Sequence, residues 1–215
     1  MIKKLIRKVK SENINTVIIT NTVGAFLVRG AALIVSLFTM PAYMRYFSDE
    51  TVLGVWYTIL SVLLWILSFD LGIGNGLRNK LVKAISENDQ NTVRGYISSA
   101  YFMVGFWSGI ILTVGLAISS FIPWNTVFNV SPELITPSVM LRAVRSVFFG
   151  IILQFFLRLI TSILYALQRS AVNNFLGLLS SVIQLGFVLL APSRTPEANI
   201  IMLSDFYIVS ANLPL

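Results

Sequence analysis

The chain is built from apolar runs close to twenty residues long, separated by short polar breaks. These runs fall at 15–40, 51–69, 95–122, 146–167, 172–191 and 199–215. A helix of roughly twenty apolar residues matches the ~30 Å hydrocarbon core of a bilayer. A core helix of a soluble domain keeps a polar face instead. Composition agrees, with 56% hydrophobic and 12% charged residues, against about 25% charged in soluble domains. The expected fold is an all-α membrane protein of about six transmembrane helices, forming a single bundle over 15–215. Residues 1–14, which open MIKKLIRKVKSEN, read as a basic cytoplasmic lead-in. The last run contains Asp205 and stops at NLPL. That ending reads as a chain cut before a second half.

Lys and Arg set the expected orientation. With the N-terminus inside, the inner segments hold Lys3, Lys4, Arg7, Lys8, Lys10, Arg78, Lys80, Lys83, Arg94 and Arg169. The outer segments hold Arg45, Arg142, Arg145 and Arg194. This excess of cations inside places the N-terminus in the cytoplasm. The net charge of +7 is spread between apolar runs rather than gathered on one face, so a nucleic-acid partner is not expected.

The residue inventory narrows the chemistry. There is no Cys and no His, which removes disulfides, thiol chemistry and the commonest neutral-pH acid–base group and metal ligand. No paired carboxylates, triad or metal cluster is visible. Neither catalysis nor a bound cofactor or metal is expected.

FDLGIGNGLRNKLVKAISEND, Phe69 to Asp89, follows the second run and turns from acidic to Gly-rich to basic. Gly72, Gly74 and Gly76 give G-x-G-x-G, but the dinucleotide fingerprint needs G-x-G-x-x-G and position 77 is Leu. The Walker lysine is absent as well. The stretch reads as the inner turn between spans two and three, with Asn75 capping a helix whose Leu77, Leu81 and Ile85 share one face. Arg78 and Lys83 suit lipid phosphates. A part in gating or substrate contact by Asp70, Gly72, Gly74, Asn75, Gly76 and Arg78 stays open beside this turn role.

Ionisable residues within spans are expensive and point to function, to pairing or to snorkelling. Arg29 lies near the middle of the first run, on a face with Ser36. It either meets substrate in a wet cavity or pairs with Asp70 or Asp205. Arg158 lies mid-run in the fourth, with Gln154 one turn before it and Ser162 one turn after. These three read as a cavity or interhelical face. Asp70 and Asp205 are candidate proton or cation sites. Gln184, Asn173 and Asn174 are expected in interhelical hydrogen bonds.

Three stretches carry a resemblance. They are NTVGAFLVRGAALIVSLFTMPAYMRYFSDETVLGVW (Asn21 to Trp56), FDLGIGNGLRNKLVKAISENDQNTVRGYISSAY (Phe69 to Tyr101) and SILYALQRSAVNNFLGLLSSVIQLG (Ser162 to Gly186). In order, they resemble the N-terminal half of a bacterial polysaccharide biosynthesis protein, the O-antigen repeat-unit flippase of the Wzx type in the MATE-like exporter superfamily. The resemblance implies two related halves around a cavity in the bacterial inner membrane. It implies translocation of undecaprenyl-pyrophosphate-linked oligosaccharide repeat units for O-antigen or capsular polysaccharide, with the coupling to a proton or sodium gradient found in relatives of this type. Arg29 is the first residue it carries over as a substrate contact, and Arg158 the second. Implied partners are the lipid-linked oligosaccharide, membrane lipids, a second copy or a missing C-terminal half, and polysaccharide assembly proteins. A small-molecule exporter of the same fold and a non-transporting scaffold in a glycan assembly complex are the alternatives.

Overall fold

The structure is a computed structural model that describes residues 14–68 and 72–215, and these form an all-α bundle. The helices are α1 (Ile14–Phe47), α2 (Glu50–Ser68), α3 (Ile73–Ser86), α4 (Gln90–Ser119) and the single turn α5 (Trp124–Val127). After them come α6 (Pro137–Leu157), α7 (Leu159–Ala166), α8 (Ser170–Leu190) and α9 (Pro196–Asn212). Four stretches are long and apolar enough to cross a membrane: Asn21–Phe47, Gln90–Ser119, Pro137–Ala166 and Ser170–Leu190. Glu50–Val62 is a shorter apolar helix, and α9 has 17 residues. The chain is thus a multi-span helical bundle with four long apolar helices among its described residues.

Two helix extents differ from the sequence reading. The first run was expected to end before Pro41, yet α1 continues through it to Phe47. Proline lacks the N–H that would bond the Leu37 carbonyl, a loss of about 3 kcal/mol in a helix interior. Beyond it, Ala42, Tyr43, Tyr46 and Phe47 are all buried, and Tyr43 and Phe47 each lie beside Trp56 of α2. This packing offsets the missing bond. Likewise, the fourth run was expected from residue 146, yet its helix opens at Pro137, which sits in the first turn. It runs to Leu157 because Arg142 and Arg145, near its start, both find partners. Arg142 Nη2 donates to Asp205 Oδ2 at 2.6 Å. Arg145 donates to the Ser119 hydroxyl (2.9 Å), the Leu116 carbonyl (3.0 Å) and the Ser120 hydroxyl (2.6 Å). It therefore tends the unsatisfied carbonyl end of α4, where a cation is favourable. Trp124 Nε1 joins it there, donating to the Ser119 carbonyl at 2.9 Å.

The helices pack as α1 on α8, α6 on α9 and α4, α3 on α4 and α7, and α2 on α6. The larger core gathers the last turns of α1 with α2, α6 and α9 around Trp56, Met140, Val147, Ile151 and Leu203. A smaller core holds Leu77, Leu81 and Ala84 of α3 against Val93, Ala100 and Val104 of α4 and Leu159 and Ala166 of α7. Large apolar side chains such as Phe26, Leu37, Phe102 and Leu190 face outward. In lipid such faces add nothing to helix association, which rests on packing and hydrogen bonds instead.

The bundle has two distinguishable ends. At the α5 end, the buried Asn199 side chain bonds the Tyr46 carbonyl (3.0 Å), the Arg194 carbonyl (3.2 Å) and the Arg194 amide (2.8 Å). Tyr46 Oη donates back to the Asn199 carbonyl at 3.2 Å. The end of α1 and the start of α9 are clamped by this exchange. The α3 end carries the inner turn of the sequence reading.

Candidate functional site: an arginine cleft at the α3 end

Gly72 starts α3. Its φ of +73° lies in the left-handed region that glycine enters without strain, so the chain reverses there. No side chain caps this helix start, and Asn75 sits inside the first turn rather than at the cap expected for it. The shared face of Leu77, Leu81 and Ile85 is present, with the first two buried. At the far end, Asp89 caps α4. Its Oδ1 accepts the amides of Asn91 (3.1 Å) and Thr92 (3.0 Å), and its Oδ2 accepts the Thr92 hydroxyl (2.6 Å). The Thr92 hydroxyl and amide, with the Asn91 amide, hold the Asp89 carboxyl below its usual range. A short, amphipathic α3 is thus laid across α4 and α7.

That placement closes a cleft of about 450 Å³ between α2, α3, α4 and the α6–α7 line. Two of its lining residues are cations, Arg78 and Arg158. Asn75, Thr161, Ser162 and Tyr165 add neutral polar groups, while Leu64, Val104, Phe155 and Leu159 make apolar walls. The Arg78 guanidinium carbon lies 5.3 Å from the centre of the Tyr165 ring, within cation–π range. Asn173 fixes the Tyr165 hydroxyl from α8 at 2.9 Å. Arg158 stands where the helix breaks between α6 and α7. Its carbonyl accepts both the amide (2.9 Å) and the hydroxyl (2.8 Å) of Thr161. Among the described residues, Arg142–Asp205 is the ion pair present, and neither Arg78 nor Arg158 has a carboxylate.

The candidate residues are therefore divided. Arg158, Asn75, Gly74 and Arg78 meet in the cleft, and Gly76 lies on the exposed side of α3. Gln154 lies one turn before Arg158, its carbonyl accepting the Arg158 amide at 2.7 Å, but it does not line the cleft. Its Nε2 donates to the Ala211 carbonyl of α9 at 3.4 Å. Ser36 lines a second cavity of about 260 Å³ between α1, α2 and α8. Arg29, exposed on α1, lines neither cavity. It lies seven residues before Ser36, two turns along the same flank of the helix. Asp205 is bound by Arg142 and by the Ser146 hydroxyl, which donates at 2.6 Å, and so does not pair with Arg29. Asp70 lies outside the described residues. Asn174 reaches the Ala25 carbonyl of α1 at 3.5 Å, an interhelical bond, whereas Gln184 Nε2 has no partner.

Sequence reasoning passed over Thr161, Tyr165, Arg142 and Arg145. Tyr165 left no clear signal, because the helix breaks at Arg158 and spacing across that break does not fix a shared face. The arginine pairings join residues far apart in sequence and left no local signal. No group of three or more His, Cys, Asp or Glu side chains gathers among the described residues. Comparison with protein-family models, with curated proteins and with solved structures returns no match.

Proposed function

We propose that this bundle moves an amphiphile with a phosphate-bearing head, of the lipid-linked oligosaccharide class, between the two leaflets of a bacterial inner membrane. The observation that carries the reading is the pair of arginines, Arg78 and Arg158, facing one cleft, with no carboxylate paired to either among the described residues. Uncompensated cations at such a place are costly unless an anion meets them. Guanidinium forks suit phosphate oxygens in particular, through parallel charge-assisted hydrogen bonds. The apolar walls beside them suit a lipid tail. The reading places α3 at the cytoplasmic face, where Arg78, Lys80 and Lys83 satisfy the positive-inside rule and where such a lipid would be loaded. Any coupling to a proton or sodium gradient would use Asp205. Among the described residues it is the carboxylate that lies within a helix beyond its first turn.

The test is translocation in sealed vesicles. A fluorescent polyprenyl-pyrophosphate disaccharide is placed in both leaflets, and an impermeant quencher reports exchange. Vesicles containing the chain are expected to exchange faster than empty ones. Arg158→Ala and Arg78→Ala should each slow exchange by about tenfold or more, the loss of one charge-assisted contact. Arg158→Lys should recover part of the rate. Exchange that is equal in empty vesicles, or indifferent to both arginines, would remove the reading.

A further inference from the structure

We propose that the outward face of α3, with the first turns of α4, is a docking surface for the headgroups of anionic membrane phospholipids. Length sets the level of this surface in the bilayer. α4 has 30 residues, about 45 Å at 1.5 Å per residue, against a hydrocarbon core of ~30 Å. From Ala100 to Ser119 it carries no charged side chain, whereas the QNTVRGYISS before that stretch is mostly polar and holds Arg94. With the apolar stretch in the core, the start of α4 stands at the level of the headgroups. α3 has 14 residues, too few to cross. It lays Leu77, Leu81 and Ala84 against α4 residues that include Val93 and Ala100. Lys80 Nζ lies 5.3 Å from the centre of the Tyr96 ring, which holds that lysine beside the second turn of α4. The Ala84 carbonyl accepts the Asp89 amide at 3.0 Å, so Lys83 stands next to the reversal into α4.

Charge decides what this face attracts. α3 contains Arg78, Lys80 and Lys83 and no carboxylate. Arg78 turns into the cleft, while Asn79, Lys80, Lys83 and Ser86 are exposed on the outward side, as is Arg94 of α4. Among the described residues, none of Lys80, Lys83 and Arg94 has a carboxylate partner. Glu87 and Asp89 lie in the reversal, and Asp89 is engaged by Asn91 and Thr92. Residues 73–94 therefore hold four cations against two carboxylates. A basic amphipathic helix at headgroup level is attracted by the negative potential of an anionic leaflet. A zwitterionic headgroup carries its own ammonium and gains little from such a face. The residue type fits as well. Lysine is a compact charge on a flexible stem that can follow a mobile headgroup, whereas the arginine fork suits one fixed phosphate. An acidic protein segment has the same sign, but only lipid is present at this depth along the whole face. The proposal uses neither arginine of the cleft and stands apart from the transport reading.

The test is lipid binding to the full chain, stripped of lipid in mild detergent. Native mass spectrometry counts bound phosphatidylglycerol and bound phosphatidylcholine across a titration. The parent is expected to bind phosphatidylglycerol more tightly. Lys80→Gln and Lys83→Gln should each weaken it about three- to fivefold, near the contribution of one lysine at an anionic surface. Neither should alter phosphatidylcholine binding, and Lys83→Arg should behave as the parent. Arg45→Gln removes an exposed cation at the α5 end and should leave the preference intact. Equal affinity for the two lipids in the parent, or an equal loss in Arg45→Gln, overturns the proposal. Displacement of phosphatidylglycerol by an equal concentration of glycerol phosphate would make the face a site for a soluble anion and overturns it too. Displacement by polyglutamate at equal charge would assign the face to an acidic protein segment instead.

Discussion

Arg142 and Arg158 lie on one helical line and meet opposite fates. Arg142 is held by Asp205, and the pair is partly exposed near the start of α6. Arg158 is exposed to the cleft with no such partner among the described residues. The first is satisfied by structure, while the second keeps its charge for whatever enters. A third charged residue, Asp89, acts purely on local structure, and its effect depends on pH. Its carboxyl titrates below its unfolded value because the Thr92 and Asn91 groups bond the ionised form. The stabilisation is therefore complete above the unfolded value, near pH 4. It is lost as pH falls through the lower folded value. Hydrogen exchange at the Asn91 and Thr92 amides checks this. Their protection factors should fall between about pH 6 and about pH 3, and should be low at both in Asp89→Ala. Equal protection at both pH values in the parent chain would show that the cap contributes nothing.

Among the elements, α6 and α9 meet closely at Gly150. A Cβ on Gly150 would stand 3.3 Å from the Ile208 Cα and 3.2 Å from Tyr207 Cδ1. Backbone cannot yield as a flexible side chain can. Asn212 adds a bond from its Nδ2 to the Gly150 carbonyl at 3.0 Å. Gly150→Val should destabilise the bundle by about 1–3 kcal/mol, the cost of overpacking. Gly109 of α4, with nothing within 4 Å, provides the control. There Gly→Ala should be neutral, or stabilising by up to ~1 kcal/mol through helix propensity. Reversible unfolding in mixed micelles measures both. Equal effects at the two sites would mean that α6 and α9 do not meet as described. Helix existence was legible from the sequence because apolar runs separated by turns leave little choice in lipid, and the Gly72 turn and the Leu77–Leu81 face were read at their places. The run of α1 through Pro41 and the early start of α6 were not legible. Each depends on partners far along the chain, Trp56 in one case and Ser119 and Asp205 in the other. The cleft was half legible for the same reason. Arg158 stood out as a charge in an apolar run, whereas its meeting with Arg78 depends on how α3 folds back over α7.

For the molecule as a whole, the arrangement of ends is internally consistent. Tyr46, Ser119, Thr136 and Asn199 all lie at the α5 end, joined by Tyr46–Asn199 bonds, by Arg145 on Ser119 and by the Thr136 amide on Glu197 Oε1 at 2.7 Å. Arg78, Asp89 and Tyr165 lie at the other. A multi-span bundle sorts its connections in this way when successive long helices cross in opposite directions. On the proposed function the α3 end, richer in Lys and Arg, would face the cytoplasm, and the absence of cysteine makes that orientation easy to test without a background. Asn79 on α3 and Glu133 in the segment before α6 are both exposed. Neither substitution changes the Lys and Arg distribution that sets orientation. In intact cells, an impermeant maleimide should label Glu133→Cys and spare Asn79→Cys, and permeabilised cells should show both. The reverse pattern would turn the molecule over. Arg78 and Arg158 would then open to the outer face, and the cleft would be a site of release rather than loading. Labelling of both positions in intact cells would mean that the α4 helix does not cross the bilayer, and with it the transport reading would fall.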